Sequence, residues 1–400
     1  MTKQILRRVG HNLFFKDPEM DVYFTWALGF TSVVGAYTGE CFRMAMLIQD
    51  GDPLSWVTAW CDTASRIKKE AEKAEALCQT RTAREAYLRA YNYFRTANLL
   101  VSPGDRSYKE IWEQGVESFS CATRLFSYPI ERFEVPFNGK TLPGYYVRAE
   151  ENDKNRPTLL VIGGSETQVE DLYFWVGNSG AQSGFDILMV DLPGQGGTPL
   201  QGLFADWDVE KPIQRILDYT FDHFPIDENR FSIYGLSAGG YSVTKAATFD
   251  DRIKACIANA PFANVWRFYE KLVPSIFWDL PQSMQRGIIN RLLTSSSIRK
   301  IQFEKQLWKS GSEDILASLK KLRESNFEDR LQLIKCPMLC LVGESDDKTM
   351  LDQCMRVYKA VSGPKTLRVF TVEEGADAHC QINNVALAQR VVFDWLERSL

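Results

Sequence analysis

A serine between two glycines is the feature of this sequence with the clearest chemical meaning. The run Gly-Leu-Ser-Ala-Gly occupies positions 235–239 and directly follows the apolar segment 231–234. Glycines beside a serine permit a sharp, strained turn from a strand into a helix, which exposes the hydroxyl of Ser237 as a nucleophile. The N–H of Ala238, at the start of that helix, can then donate a hydrogen bond to an oxyanion.

A histidine must accompany this serine, because a serine hydroxyl is a weak nucleophile until a base removes its proton. His379 follows the last predicted strand and precedes the last predicted helix, whereas His11 and His223 both precede the serine. The order serine, acid, histidine along the chain is typical of a nucleophile on a strand–turn–helix. We therefore expect His379 to be the base and the other two histidines to be surface or packing residues.

The acid that orients the histidine is expected at the end of a strand between the serine and the histidine. The apolar segment 339–342 runs into a loop that contains Glu344, Asp346 and Asp347. Asp346 has the spacing expected of the acid, Asp347 is the alternative, and Glu344 is expected to be solvated. Asp377, two residues before the histidine, is interpreted as an exposed turn residue.

A second oxyanion donor is expected in the loop after the apolar segment 158–162, which continues as Gly-Gly-Ser-Glu. We predict that the donor is the N–H of Ser165, with Gly164 as the alternative, and that it stabilises the transition state by roughly 3–4 kcal/mol. Glu166 has two interpretations that stay open here. It either binds or protonates the leaving group, or it is a solvated loop carboxylate.

No cofactor or metal is expected. The glycine-rich run 191–197 fits neither the phosphate-binding loop nor the dinucleotide fingerprint, so we interpret it as a structural turn. The nine cysteines form no Cys-x-x-Cys pair, and three histidines are too few for a histidine-rich metal site. Reduced cysteines indicate a reducing compartment, which predicts a cytoplasmic location.

The partner is expected to be a small molecule. The formal net charge of −4 gives no broad basic field, which argues against nucleic acid and anionic membranes. The apolar run 22–37 contains threonines, a serine and glycines and is short for a membrane span, so we expect a buried helix there.

The elements that must position these residues fall into two parts. Positions 1–128 are typical of helices, with two predicted over 54–77 and 80–100. From 129 onward, a hairpin around Asn138 and Gly139 precedes short apolar runs that alternate with helical stretches. Such alternation predicts an α/β fold with a mostly parallel sheet and helices on both faces. The runs are 131–137, 141–149, 158–162, 187–190, 231–234, 255–258, 338–342 and 367–371.

We therefore predict an N-terminal helical cap domain over 1–128 and a catalytic domain over 129–400. The stretch 262–330 has no strand signal and is rich in aromatic residues, which predicts a helical lid over the carboxyl ends of the strands.

Four of these motifs together resemble a known family. They are the runs at 163–166, 191–196, 235–240 and 378–381. They resemble a subgroup of α/β-hydrolases with an N-terminal helical extension, which includes fungal hydrolases that shorten polyketide pigment precursors and a bacterial dihydroxypseudooxynicotine hydrolase. The resemblance implies hydrolysis of a carbon–carbon bond next to a ketone, in an aromatic or polyketide β-diketone of specialised metabolism. It also implies a homodimer formed through the helical extension.

Other functions fit the same residues. An esterase, thioesterase or acyltransferase that acts on a bulky apolar acyl group needs only Ser237, His379 and the oxyanion donors. A ligand-binding receptor on the same scaffold would be expected to lack a member of the triad. A peptidase with a propeller as its size filter is disfavoured, because residues 1–128 contain no regularly spaced strands.

Overall fold

The structure is a computed structural model that describes residues 9–149, 156–270, 273, 275–293, 295–312 and 314–400. Positions 1–8 of the predicted helical region therefore lie outside the described residues. The same holds for positions 271, 272, 274, 294 and 313 of the predicted lid.

An eight-stranded sheet in the order β1-β2-β4-β3-β5-β6-β7-β8 forms the centre of the molecule. Strands β1 and β2 pair antiparallel with each other, β2 pairs antiparallel with β4, and all other pairs are parallel. The strands are β1 Ile130–Phe137, β2 Lys140–Val147, β3 Thr158–Ile162, β4 Asp186–Val190, β5 Phe231–Leu236, β6 Ala255–Asn259, β7 Met338–Gly343 and β8 Lys365–Phe370.

The sequence explains this arrangement. Every residue of β3 to β7 is buried, as expected for parallel strands covered on both faces, and this confirms the predicted α/β fold. The predicted hairpin is also confirmed, because Asn138 and Gly139 both adopt positive φ between β1 and β2. The prediction placed β8 two residues too late, because this edge strand begins with exposed, polar Lys365 and Thr366.

In the described residues, five helices precede the sheet, and three of them begin at an aspartate that caps the helix. Asp17, Asp52 and Asp105 each accept hydrogen bonds from N–H groups of the first turn. These helices are α1 Pro18–Gly29, α2 Thr38–Ala45, α3 Pro53–Ala76, α4 Thr80–Asn98 and α5 Arg106–Thr123. The predicted helices over 54–77 and 80–100 are α3 and α4. Within the described part of the chain, every helix is too short or too polar to cross a bilayer.

The prediction of a buried helix over the apolar run 22–37 is correct only for its first part. Residues 20–27 of α1 are all buried, but α1 ends at Gly29, and Thr31, Ser32 and Tyr37 are exposed. A 3-10 turn, Phe30–Val33, follows it.

Eight further helices, counted over the part of the chain that the structure describes, connect and cover the strands. They are α6 Asn178–Gln182, α7 Glu210–His223, α8 Ala238–Ala246, α9 Gln282–Leu293, α10 Ser297–Ser310, α11 Ile315–Glu324, α12 Lys348–Ala360 and α13 Val385–Ser399. Helices α9, α10 and α11 lie within the predicted lid. In the described residues of that stretch, strand-type pairing is limited to one bridge between Asn264 and Asn326 at its two ends.

Two apolar clusters pack against opposite faces of the sheet. One contains Leu159 and Val161 of β3 together with buried side chains of α1 to α5 and α13, whereas the other contains Leu160 and Ile162. The helical region 1–128 therefore shares a continuous core with the sheet. Its status as a separate domain stays a prediction.

Candidate active site

Ser237 lies in the turn between β5 and α8, with φ 53° and ψ −117°. Its backbone N–H donates to the carbonyl of Asn259, at the end of β6, over 2.5 Å. Position 239 requires glycine because the backbone of Ile162 lies close to it. A Cβ at this position would lie 2.3 Å from the carbonyl oxygen of Ile162. These contacts explain why the run at 235–239 turns so sharply between strand and helix.

The structure brings Ser237, His379 and Asp346 together. His379 Nε2 lies 2.9 Å from Ser237 Oγ, and His379 Nδ1 lies 2.7 Å from Asp346 Oδ2. Asp346 follows β7, and its Oδ1 accepts the N–H of Asp347 over 2.9 Å. Parallel strands end at the same edge of a sheet, so loops after β5, β7 and β8 can meet there. This geometry can transfer the serine proton to the imidazole.

The surroundings of His379 raise the pKa of its imidazole. Burial opposes the charge of the imidazolium, but the adjacent Asp346 carboxylate, together with Cys380, outweighs that effect and holds the pKa of His379 well above its ordinary value of 6.5. The side chain of Asp346 is 3% exposed, so solvent does little to screen the attraction. The imidazolium that forms when the serine loses its proton is therefore stabilised.

The other carboxylates of the acid loop have different partners. Asp347 caps α12 by accepting the N–H of Thr349 over 2.8 Å, and exposed Glu344 accepts the N–H of Val372 over 3.0 Å. Both contacts satisfy backbone N–H groups at the surface of the loop. Neither carboxylate has a recorded hydrogen bond to the histidine.

The interpretation of Asp377 as an exposed turn residue is wrong, since it is 2% exposed. Its carboxylate accepts from Asn383 over 3.0 Å, and its carbonyl accepts the N–H of Ser345 over 3.0 Å. The sequence did not indicate this contact, because the loops that contain Asp377 and Ser345 are distant along the chain. They come together only when β7 and β8 pair.

The two remaining histidines are exposed. His223 lies in the last turn of α7, where its ring stacks on Tyr219 and its Nδ1 lies 2.9 Å from the Tyr219 carbonyl. This is a packing position at a helix end, and no contact of His223 with the serine is recorded.

The loop after β3 lies beside Ser237. A Cβ added to Gly164 would lie 3.0 Å from Ser237 Cβ, so only glycine fits there without displacement. Ala238 is the first residue of α8, and the N–H of a first helical residue has no partner within the helix. The carbonyl of Ser165 accepts a hydrogen bond from the amine of Lys309 on α10. The choice between Ser165 and Gly164 as the oxyanion donor stays a prediction.

Gln195, from the glycine-rich run 191–197, supports this loop. Its side-chain Nε2 donates to the carbonyls of Gly163 over 2.6 Å and Gly164 over 3.1 Å, and its Oε1 accepts the N–H of Leu192. The run is thus a turn, as predicted, but it also positions the loop beside the serine. In the sequence, Gln195 stands between two glycines, and the interpretation of the run as a turn assigned no role to its amide side chain.

Glu166 is half-buried and bonded rather than freely solvated. Its Oε1 accepts from the hydroxyl of Tyr23 on α1 over 2.8 Å, and Gln302 on α10 donates to the same hydroxyl over 3.1 Å. Three distant parts of the chain meet at this carboxylate. Sequence reasoning missed Tyr23 and Gln302, because nothing local marks a contact across 143 residues.

A buried ion pair joins the helical region to the segment that follows this loop. Arg95 on α4 lies 3.1 Å from Asp171, and their side chains are 1% and 0% exposed. Tyr91 adds a hydrogen bond of 2.8 Å to the same carboxylate. Helices α1 and α4 therefore contact the loop after β3 and the segment that follows it directly.

The described residues contain carboxylates, thiols and histidines that could in principle bind a metal ion. Among them, no group of three or more histidines, cysteines and carboxylates is arranged to hold a metal ion. All nine cysteines are free thiols.

Two family models match this chain. The model of the prolyl oligopeptidase family matches residues 181–400, and that of FrsA-like esterases matches residues 48–280. Both matches include Ser237, and the second also includes α4, α5 and the loop after β3.

Curated relatives cover nearly the whole chain. Hydrolyase poxO of Penicillium oxalicum is 29% identical over 97% of this chain and 98% of its own length. The 20-hydroxy-prefusarin hydrolase FUS2 of Gibberella moniliformis is 29% identical over 97% of both chains. The crystal structure of 2,6-dihydroxy-pseudo-oxynicotine hydrolase is similar in fold, with a TM-score of 0.71 and 21% identity over 93% of this chain and 95% of that one.

Proposed function

This chain belongs to the prolyl oligopeptidase family and to the FrsA-like esterases, both α/β-hydrolases, and from this premise we propose that it hydrolyses a carbon–carbon bond next to a ketone with Ser237 as nucleophile. The observation that carries the proposal is the continuous chain of contacts from Asp346 through His379 to Ser237 Oγ. Because the histidine contacts both other groups, a proton can move from the serine while the charge that forms is balanced.

The first step forms a bond between Ser237 Oγ and the substrate's carbonyl carbon. His379 Nε2 accepts the serine proton, and Asp346 holds the imidazole in the required orientation. The carbonyl electron pair moves to oxygen, where the N–H groups of Ala238 and of Ser165 or Gly164 stabilise the oxyanion.

Carbon–carbon cleavage then follows from collapse of this intermediate. The carbonyl re-forms, the adjacent carbon–carbon bond breaks, and its electron pair leaves as an enolate that takes the proton from His379. In the alternative, a protonated Glu166 donates to the enolate and regains a proton from His379, so the imidazole is neutral before water attacks. Water, deprotonated by His379, attacks the acyl–Ser237 ester and releases a carboxylic acid. The serine regains its proton, so one β-diketone and one water give one ketone and one acid.

Two lines of support favour a β-diketone of specialised metabolism. The motif resemblance implies polyketide or aromatic substrates, and one relative that matches nearly the whole chain is named a 20-hydroxy-prefusarin hydrolase. Glu166 adds an acceptor beside the site, held by Tyr23 over 2.8 Å, that can bind a substrate hydroxyl or enol.

A substrate panel tests the reaction type. The enzyme is incubated with 1-aryl-1,3-diketones and with matched aryl and thiol esters, and products are identified by mass spectrometry. We expect ketone and acid from the diketones, with no product in Ser237→Ala. Rapid ester or thioester turnover with untouched diketones would replace the proposal with an esterase or thioesterase on a bulky acyl group.

We also propose a homodimer formed through the helical extension. Phe14, Phe42, Met46 and Leu47 are large apolar side chains there that are at least 37% exposed, and the rings of Phe14 and Phe42 lie 6.2 Å apart. Light scattering should give twice the chain mass, and Met46→Lys should shift it toward the monomer. A monomeric wild type would contradict this.

The free thiols support a cytoplasmic location.

A further inference from the structure

We propose that Asn259, at the end of β6, is a positioning residue that fixes the placement of His379 relative to Ser237 through its contact with Gln381. The inference rests on the proposed function, because it assigns a role within that triad. Asn259 is 0% exposed and contacts the immediate surroundings of both residues.

The backbone carbonyl of Asn259 joins the two loops. It accepts the N–H of Ser237 over 2.5 Å and the thiol of Cys380, the residue after the histidine, over 3.1 Å. The carbonyl oxygen of Asn259 thus accepts hydrogen bonds both from the backbone of Ser237 and from the residue that follows His379. A shift of β6 relative to either loop would change the distance between serine and imidazole.

The side chain of Asn259 makes a second connection. Its Nδ2 donates to Gln381 Oε1 over 2.8 Å and to the hydroxyl of Tyr234 over 3.1 Å. Gln381 is also 0% exposed. This contact satisfies Asn259 Nδ2 and Gln381 Oε1, whereas Asn259 Oδ1 and Gln381 Nε2 are buried with no hydrogen-bond partner among the described residues.

The backbone after the histidine needs such support. Cys380 and Gln381 adopt φ of 51° and 54°, the left-handed region that non-glycine residues seldom occupy. Two strained residues in succession persist only when their surroundings hold them. Here, Asn259 contacts both of them, one through its carbonyl and the other through its amide.

The alternative is that the Asn259–Gln381 pair only stabilises the fold. Gln389 on α13 provides a matched control, because it is a buried glutamine whose Nε2 donates to the carbonyls of Phe174 over 2.8 Å and Trp175 over 3.1 Å. The same change at Gln389 removes buried amide hydrogen bonds that do not involve the triad.

The experiment measures the rate constant for labelling of Ser237 by a fluorophosphonate as a function of pH. It compares wild type, Gln381→Met and Gln389→Met, with Asn259→Ser as a second way to break the pair. The rate constant describes the folded molecules that react, so loss of folded protein does not alter it. Intact mass and peptide mapping identify the labelled residue.

We expect Gln381→Met and Asn259→Ser to label about 10- to 100-fold more slowly, the effect typical of a catalytic group displaced by around 1 Å. The midpoint of the acid limb should move to lower pH, because a less closely held His379 loses part of its attraction to Asp346. Gln389→Met should keep the wild-type rate and midpoint.

A labelling rate constant and a midpoint equal to those of wild type in both Gln381→Met and Asn259→Ser would overturn the positioning role. A change in Gln389→Met as large as in those two variants would also overturn it. Failure of wild type to label at Ser237 would instead overturn the proposed function. The two failures are therefore distinguishable.

Discussion

At the scale of single residues, Ser237 is half-buried and has a strained backbone. A φ of 53° costs of order 1–3 kcal/mol for a residue other than glycine. Hydrogen bonds on either side hold the turn, since Ser237 N–H donates to Asn259 and the Ser237 carbonyl accepts the N–H of Gly240 over 2.7 Å. The local strain is compatible with an active site that is fixed before substrate arrives.

Removal of either reacting group should abolish most turnover. We expect Ser237→Ala and His379→Ala each to lower kcat by about 10⁴- to 10⁶-fold, and the double variant to be little worse, because the residues act as a unit. Ser242→Ala is the control, since that hydroxyl donates to the Ala238 carbonyl within α8. Steady-state kinetics on a turned-over diketone or ester measures each, and near-normal kcat in Ser237→Ala would refute the assignment.

The pH dependence should report the pKa of His379. The base must be neutral to accept the serine proton, so kcat/KM should rise with pH, with a midpoint well above 6.5 in wild type. Asp346→Asn should move this midpoint to lower pH and reduce kcat, because the carboxylate that raises the pKa is gone. Asp347→Asn should leave the midpoint unchanged. A wild-type midpoint at or below 6.5 would contradict the assigned electrostatics.

At the scale of elements, the loop after β3 is held from three sides. Tyr23 on α1 contacts Glu166, Lys309 on α10 contacts the Ser165 carbonyl, and Gln195 contacts the loop glycines. Helix α10 also contacts the helical region through Lys305, which donates to the Leu99 carbonyl over 2.9 Å at the end of α4. These contacts connect α1, α4 and α10 to one another and to the loop beside Ser237.

The ion pair between α4 and the segment after this loop should be important for stability. We expect Arg95→Met to lower the free energy of unfolding by about 3–5 kcal/mol, because it leaves Asp171 buried without its cation. The double variant with Asp171→Asn should recover part of that loss. Arg66→Met, in an exposed pair with Glu70, should cost under about 1 kcal/mol. Urea unfolding measures all three, and equal losses at both sites would contradict the prediction.

At the scale of the whole molecule, the helical region and the sheet share one core. Tyr91 of α4 stacks on Phe174, with ring centroids 5.7 Å apart, and Phe30 stacks on the same ring at 4.9 Å. From these contacts we expect the helices between residues 9 and 128 to fold together with the sheet.

Calorimetry tests this shared core. The whole chain should unfold in one cooperative transition, and a chain starting at residue 129 should fail to fold, because the sheet face that contacts α1 to α5 would be exposed to water. Two separate transitions, or a stable fragment 129–400, would show that the parts fold independently.

The parallel sheet could be predicted from the sequence, and so could the three residues that meet at its edge, because each of them follows an apolar strand at a recognisable spacing. The contacts of Tyr23, Arg95 and Asn259 could not be predicted. Their contacts span 143, 76 and 122 residues and depend on how helices and loops pack. The interpretation of Asp377 as exposed was wrong for the same reason.

The most direct test of the central claim is intact-mass spectrometry of the enzyme mixed with a 1-aryl-1,3-diketone and quenched within milliseconds. The account predicts an acyl adduct on Ser237, formed together with the released ketone and absent from Ser237→Ala. Ketone release at the wild-type rate by Ser237→Ala, or an adduct on another residue, would contradict it.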